Sequence, residues 1–365
     1  MSTISLCMIV KDESAVIERC LRSVLPLLDG WTVVDTGSSD DTPALVESVL
    51  SHLPGQLHHR PWRNFAENRS EAFELNRGRG DYHLVVDADD RLERHELKTP
   101  ELQADWYSLR VHFGEVRYYR PQLFRTALAW RYKGVVHEYA DCPEATVPGY
   151  LPGLEYHVSA GEGARSRNPQ KYLDDARLLE KALVAEPDEP RHVFYLAQSY
   201  RDAGLLPEAA EAYERRCRLE GWVEERYVAH LERARLLKRL QNPTQVPAEL
   251  LFAYQLNPYR AEALTELAQF YREHGQWNLA HLFAGRAAEL KMPVEGLFLE
   301  EPAYRWRAQD ELAVAEFYTG RFGQARERTE KLLQEAALPE MDRQRLQNNL
   351  LHCLTCEGRR QHALL

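Results

Sequence analysis

YHLVVDADDRLE, residues 82–93, sets an apolar run, Leu84-Val85-Val86, directly against three carboxylates, Asp87, Asp89 and Asp90. A run this apolar and this short reads as a strand buried on both faces, and such strands belong to parallel sheets. In an open parallel sheet, ligands bind beyond the carboxyl ends of the strands. The three acids therefore mark one edge of a sheet as the place where chemistry would sit.

Upstream segments repeat the plan. ISLCMIV (4–10) is a buried-strand run, KDES (11–14) a turn, and AVIERCLRSVLPLL (15–28) has apolar residues at helical spacing. WTVVDTGSSDDT (31–42) then closes a second strand on Val33, Val34 and Asp35. Its Ser38 to Thr42 supply turn and N-cap residues for the helix PALVESVLSHL, with Pro43 at the first position. FAENRSEAFELNRG (65–78) reads as a third helix, ended by Gly78 and Gly80, and YHLVVD as the next strand. Successive β-α units predict an α/β fold with a Rossmann-like, mostly parallel sheet.

From about residue 168 the texture changes to long helices that contain repeats. VFYLAQSYRDAGLLPEAAEAY (193–213), LTELAQFYREHGQWNLAHLFA (264–284) and DELAVAEFYTGRFGQA (310–325) share Leu-Ala seven or eight positions before a glycine, and alanine five after it. Glycine at the turn and alanine at the close contact are the marks of tetratricopeptide-like helix pairs. Ala209 and Ala280 lie 71 positions apart, about twice the ~34-residue repeat. A degenerate copy is therefore expected around 225–258. The organisation expected is an α/β domain at 1–165 and an all-α repeat domain at 168–365.

The 365-residue length suits two domains, and the net charge of −10 disfavours a nucleic-acid surface, which needs clustered Lys and Arg. No apolar run approaches the ~20 residues of a membrane span. The N-terminus lacks the basic-then-apolar order of a signal peptide. Six scattered cysteines suit reduced thiols, and with these features a cytoplasmic location is expected. Cys353 and Cys356 form a C-x-x-C beside His352, but without a second pair they read as packed thiols.

Asp87-Ala88-Asp89 at a strand end offers the few hard oxygen ligands that a divalent cation bridging two phosphates needs. Adjacent carboxylates repel one another unless a cation intervenes. Four segments taken together, ISLCMIVKDES, VVDTGSSDDT, NFAENRSEAF and VVDADDRLE, resemble the nucleotide-sugar half of family 2 glycosyltransferases of the GT-A fold, over roughly residues 3–160. A GT-A domain followed by tetratricopeptide-like helices also resembles a bacterial and viral group that includes peptide S-glycosyltransferases.

The resemblance implies that the turn carrying Val10, Lys11 and Glu13, together with Asp35, holds the base and ribose of a nucleotide, usually uridine. Asp12 stands where an Asn is usual. Arg69 occupies the position of a basic residue facing the nucleotide. Asp87 and Asp89 match the D-x-D motif, whose last aspartate resembles the direct ligand of Mn2+ or Mg2+. His157, Gly161 and Arg165 resemble a loop folded over the diphosphate, which makes His157 a further metal ligand and Arg165 a phosphate partner. For the general base, Glu138 comes first and Asp90 second, although the Glu-Asp pair usual in the family is absent. A structural role for Glu138, paired with Lys133 or Arg131, stands beside that one.

Trp62, Trp106 and Trp130 read as core before sugar contacts. His58-His59 has no third ligand near it in sequence. The implied activity is metal-dependent, inverting transfer from a nucleotide-diphosphate sugar, UDP-linked, to a peptide, protein or glycan acceptor. The repeats would position that acceptor or mediate a homodimer. The alternative is an interaction scaffold whose first domain is inactive or senses nucleotide. A nucleotidyltransferase would want a Gly- and Lys-rich first turn, which KDES does not provide.

Overall fold

The computed structural model describes residues 2–95, 101–114, 116–159, 161–164 and 168–362. The chain forms two compact units, Met1–Gly204 and Leu205–Leu365.

The first unit opens with β1 (Ile4–Val10), α1 (Ile17–Val24), β2 (Gly30–Asp35), α2 (Thr42–Leu50), β3 (Gly55–His59), α3 (Phe65–Leu75) and β4 (Tyr82–Val85). It continues through β5 (Arg91–Arg94), β6 (Trp106–Phe113), β7 (Val116–Arg125), β8 (Arg131–Lys133), β9 (Tyr139–Asp141) and β10 (Pro148–His157) to α4 (Lys171–Ala185) and α5 (Pro190–Asp202). Eight strands of this unit lie in one sheet in the order β3-β2-β1-β4-β7-β6-β10-β5, while β8 and β9 form a separate hairpin. The β1–β2, β2–β3, β1–β4 and β6–β10 pairs are parallel; β4–β7, β6–β7 and β5–β10 are antiparallel.

β1 explains the layering. Its side chains alternate between faces: Leu6, Met8 and Val10 join the core formed with Ile17, Leu21, Val46 and Leu50 of α1 and α2, whereas Cys7 joins Ala72 and Phe73 of α3 and Trp130. A strand covered on both faces is almost wholly apolar, as ISLCMIV is, and its buried Ser5 donates its hydroxyl to Asn76 Oδ1 at 2.7 Å. α3 starts where Asn64 accepts from the Glu67 N–H at 2.9 Å, a side-chain cap on an otherwise unpaired donor.

Strands give way to helices near the expected boundary at 165–168, but the first unit runs on to Gly204. The contacts of α5 give the reason. The His137 ring stacks on Tyr195 at 4.1 Å, and Arg191 donates to the His137 carbonyl at 3.1 Å.

The second unit comprises α6 (Leu206–Arg218), α7 (Val223–Arg239), α8 (Val246–Leu256), α9 (Glu262–Glu273), α10 (Trp277–Ala288), α11 (Ala308–Tyr318), α12 (Phe322–Glu335) and α13 (Glu340–His362). Each helix packs on the next. The repeat alanines Ala209, Ala280 and Ala325 are completely buried or nearly so, and Gly204, Gly275 and Gly320 all take positive φ. The degenerate copy is the α7–α8 pair, and there Gln241 adopts φ 57 at the turn where the other copies have glycine. Cys353 is buried, and among the described residues Cys353 and Cys356 join no group of metal-ligand side chains.

Candidate functional site

Three loops meet at the carboxyl edge of β1, β2 and β4. After β1, the Asp12 N–H donates to Ser38 Oγ at 3.0 Å, and Ser39 N–H returns a bond to Asp12 Oδ1 at 2.7 Å. Asp12 has φ 54, a left-handed backbone that Asp, like Asn, adopts more readily than most residues. Ser14 and Thr42 both donate backbone N–H groups to Asp40 at 3.0 Å. Burial opposes its ionisation, but these bonds prevail and hold its carboxyl at about 2. The first turn is thereby tied to the second.

Asp35 ends β2 almost fully buried, accepting from Ser38 N–H at 3.2 Å, with His59 Nδ1 also at 3.2 Å. β2 and β3 run in register, Asp35 opposite His59, so half of the isolated histidine pair lands on the aspartate. The Val10 carbonyl accepts from Thr36, Lys11 is exposed, and the Glu13 carboxylate accepts from Ala164 N–H at 3.1 Å. Glu13 therefore anchors the loop after β10. Arg165, the expected phosphate partner, lies outside the described residues.

After β4 the three aspartates have three different environments. Asp87 is gripped by Arg69, faces Arg120 Nη2 at 3.5 Å, and receives the Tyr156 hydroxyl at 3.4 Å. Burial would raise its pKa, but the two guanidinium groups outweigh it and hold the carboxyl at about 2. Asp89 has no such partner: burial and the charge of Asp87 raise its pKa, and among the described residues its carboxylate accepts no side-chain hydrogen bond. Its backbone carbonyl accepts from Arg19 Nη2 at 2.7 Å, and Arg19 also pairs with Glu162. Asp90 is 3% exposed and accepts from Ser159 N–H at 2.9 Å. Burial, then the charge of Asp87, push its carboxyl up to about 7.

Glu138 reaches the same cluster from the turn between β8 and β9. Gly134 (φ 98) and His137 (φ 53) shape that turn, and Glu138 Oε1 accepts from Arg69 Nε at 2.6 Å. Lys133 and Arg131, its sequence-adjacent candidates, instead pair with Asp141 and Glu74. One guanidinium therefore bridges two of the expected site residues.

His157 stands apart from the aspartates. Tyr156 sends its hydroxyl to Asp87, so the next residue along the strand faces the other side of the sheet. There His157 meets His112 and Glu155; the side chains of Asp87, Asp89 and His157 do not converge within 4.8 Å of one another, whereas those of His112, Glu155 and His157 do. The expectation of His157 beside the D-x-D is corrected accordingly: strand alternation, invisible to a motif match, turns it away.

Arg120, Tyr156, Arg19 and Gly163 escaped the sequence reading. Arg120 lies over the Tyr156 ring at 4.5 Å. Its signal was present in RYYRPQLFR, where a charged residue recurs inside a strand otherwise filled by aromatic and apolar side chains. A Cβ on Gly163 would lie 2.3 Å from Asp89 Oδ2, so this glycine, two beyond Gly161, is the one that admits the loop against the acid. Trp106 and Trp130 meet edge-on at 6.1 Å within the fold, while Trp62 is exposed and packs edge-on against Phe65.

Comparison with known proteins gives a consistent picture. The family model for Glycosyl transferase family 2 matches residues 5–152. A TPR repeat-containing protein of Synechococcus elongatus is 30% identical over 323 residues, covering 79% of this chain and 75% of that protein. An uncharacterized glycosyltransferase of Rickettsia felis is 35% identical over 94 residues, 26% of this chain and 31% of its own length. The lipopolysaccharide core biosynthesis glycosyltransferase LpsC of Rhizobium meliloti is 33% identical over 96 residues, 26% of this chain and 34% of that one. No described helix is long and apolar enough to cross a membrane.

Proposed function

We propose that this chain, which carries a Glycosyl transferase family 2 domain over residues 5–152 followed by tetratricopeptide-like repeats, transfers a sugar with inversion from a UDP-sugar, assisted by Mn2+ or Mg2+. The observation that carries the donor assignment is the unequal treatment of the aspartates. Asp87 is already neutralised by Arg69 and Arg120, whereas Asp89 is partly buried and no guanidinium grips its carboxylate among the described residues, the nearby Arg19 bonding its backbone carbonyl and pairing with Glu162.

An uncompensated carboxylate beside a second one fits a hard divalent cation, so Asp89 is the residue that would hold the metal. The metal, when bound, stabilises the charge that grows on the departing diphosphate. Asp35 and the Val10–Glu13 turn would take the ribose and base, and Arg69 and Arg120 would keep Asp87 ionised.

Glu138 is the proposed general base. It sits on a turn with its side chain 11% exposed, oriented by Arg69, whereas Asp90 is enclosed and occupied by Ser159. A base must lie within hydrogen-bond reach of the acceptor, and an enclosed carboxyl has less room for one. The acceptor is proposed as a peptide, protein or glycan bound with the help of the repeats.

Calorimetric titration of UDP with and without Mn2+, on the native chain and on Asp89→Asn, tests the donor site. Binding that requires both metal and Asp89 is the expected result. Equal affinity in Asp89→Asn would overturn the metal assignment. Glu138→Gln should keep UDP affinity and lower the transfer rate by about 100-fold or more; full transfer in that variant would move the base to Asp90.

A further inference from the structure

The face of the sheet that carries His157 holds a second group of ligating side chains, separate from the aspartates. In β10, Glu155 and His157 are two residues apart and share a face. Parallel register sets His157 beside His112 of β6, and antiparallel register sets Glu155 opposite Glu93 of β5. The two imidazoles stack at 4.6 Å with 15° between their planes. His112 Nε2 lies 3.0 Å from Glu155 Oε2, and His157 Nε2 lies 3.1 Å from Glu93 Oε2.

Two features of this cluster are unexplained by the protein alone. Both Nε2 atoms are buried, and neither makes a hydrogen bond despite the nearby carboxylate oxygens; the contact has the distance of a bond without its direction. Glu93 and Glu155 also face each other directly across neighbouring strands, where like charges repel. A cation among His112, His157 and Glu155 removes both difficulties, because it takes the Nε2 lone pairs as ligands and offsets the charge of the paired carboxylates.

We propose that His112, His157 and Glu155, whose ligand atoms lie within 4.8 Å of one another, bind a zinc-type divalent ion, with Glu93 beside His157 as its neighbour. Two imidazoles and one carboxylate supply three ligands, and Glu93, 3.1 Å from His157 Nε2, is the nearest fourth; nitrogen with oxygen donors suits Zn2+ better than the hard ions expected at Asp89. His95 Nε2, at 3.4 Å from Glu155 Oε2, supplies the outer hydrogen bond that a ligating carboxylate usually has. The ion would pin the edge strand β5 to β10 and β6. Because β5 begins at Arg91, directly after Asp90, such a clamp would also fix the outgoing end of the D-x-D turn.

The test uses the full chain, dialysed against a chelator and titrated with Zn2+, and separately with Co2+ as a spectroscopic probe. One equivalent of Zn2+, a strong visible absorption from four-coordinate Co2+, and a rise in melting temperature on metal addition are expected. Asp89→Asn should keep all three, which separates this site from the donor site. The double variant H112Q/H157Q should weaken Zn2+ binding by at least about tenfold while melting like the native chain in chelator. Absence of stoichiometric Zn2+ in the native chain, or Zn2+ binding unchanged by the double variant, would overturn the proposal. The Co2+ spectrum of the native chain stands as an independent readout should the variants not fold: a weak, octahedral spectrum rejects the site.

Discussion

Arg69 Nε donates to Glu138 Oε1 at 2.6 Å across 69 positions of sequence. The other end of the same guanidinium grips Asp87, so removing Arg69 would leave Glu138 without its cation and Asp87 with Arg120 at 3.5 Å. Breaking a buried pair from one side costs about 3–5 kcal/mol. Arg69→Met should therefore melt well below the native chain and lose UDP binding. Arg69→Lys keeps the charge but cannot span both partners with one planar fork, and should fall between the two. A melting temperature for Arg69→Met equal to that of the native chain would mean that the carboxylates are satisfied without it.

The aspartates give the site a signed pH dependence. Asp90 titrates at about 7 in the folded chain, above its ordinary 3.8, so the folded state keeps a proton that the unfolded state releases. Its contribution to stability is complete below its ordinary value and is lost as pH rises through 7. Asp87 runs the other way: held at about 2, it contributes above its ordinary value and ceases to as pH falls toward 2. Asp90→Asn should flatten the stability profile of the metal-free chain between about pH 4 and pH 7, by on the order of 1 kcal/mol per pH unit. Urea unfolding midpoints across that range check the slope; parallel profiles for the two proteins would reject the assignment.

Gly163 leaves no room for a side chain beside Asp89, since a Cβ there would meet Oδ2 at 2.3 Å and Cγ at 2.8 Å. Gly163→Ala must move either the loop or the acid. Mn2+-dependent UDP affinity should fall by about tenfold, equivalent to about 1.4 kcal/mol, with little change in melting temperature because the loop is not part of the core. Affinity unchanged in this variant would show that the loop can retreat without disturbing Asp89.

Much of this arrangement was legible before any coordinates. The buried runs ISLCMIV and YHLVV fixed strands, and the order of strand, turn and helix placed Asp35 and Asp87 at one sheet edge, because parallel topology allows few alternatives. The partners within the cluster were not legible. Arg120 and Tyr156 arrive on β7 and β10, whose pairing with β4 and β6 depends on contacts far apart in sequence. His157 shows the opposite failure: its motif spacing pointed to the diphosphate, and the alternation of a single strand sent it to the other face. The partner of Glu138 was not legible, because Lys133 and Arg131 were close in sequence while Arg69 was close in space.

The repeat unit offers the same lesson at a single turn. Spacing alone placed a degenerate copy at 225–258, and α7 and α8 occupy it, but its turn lacks the glycine of the other copies. Gln241 takes φ 57 in its place, and its N–H donates to the Lys238 carbonyl at 3.1 Å, as Gly275 N–H does to Arg272 at 3.0 Å. Left-handed backbone costs a non-glycine residue about 1–2 kcal/mol, while glycine carries an entropy penalty of roughly 0.5–1 kcal/mol. The difference favours glycine, so Gln241→Gly should stabilise the second unit by about 0.5–1 kcal/mol. Gly275→Gln, the reverse exchange at the matching turn, should destabilise by a similar amount. Denaturant midpoints for the pair give the answer, and a loss of stability in Gln241→Gly would mean that the glutamine side chain itself holds the turn.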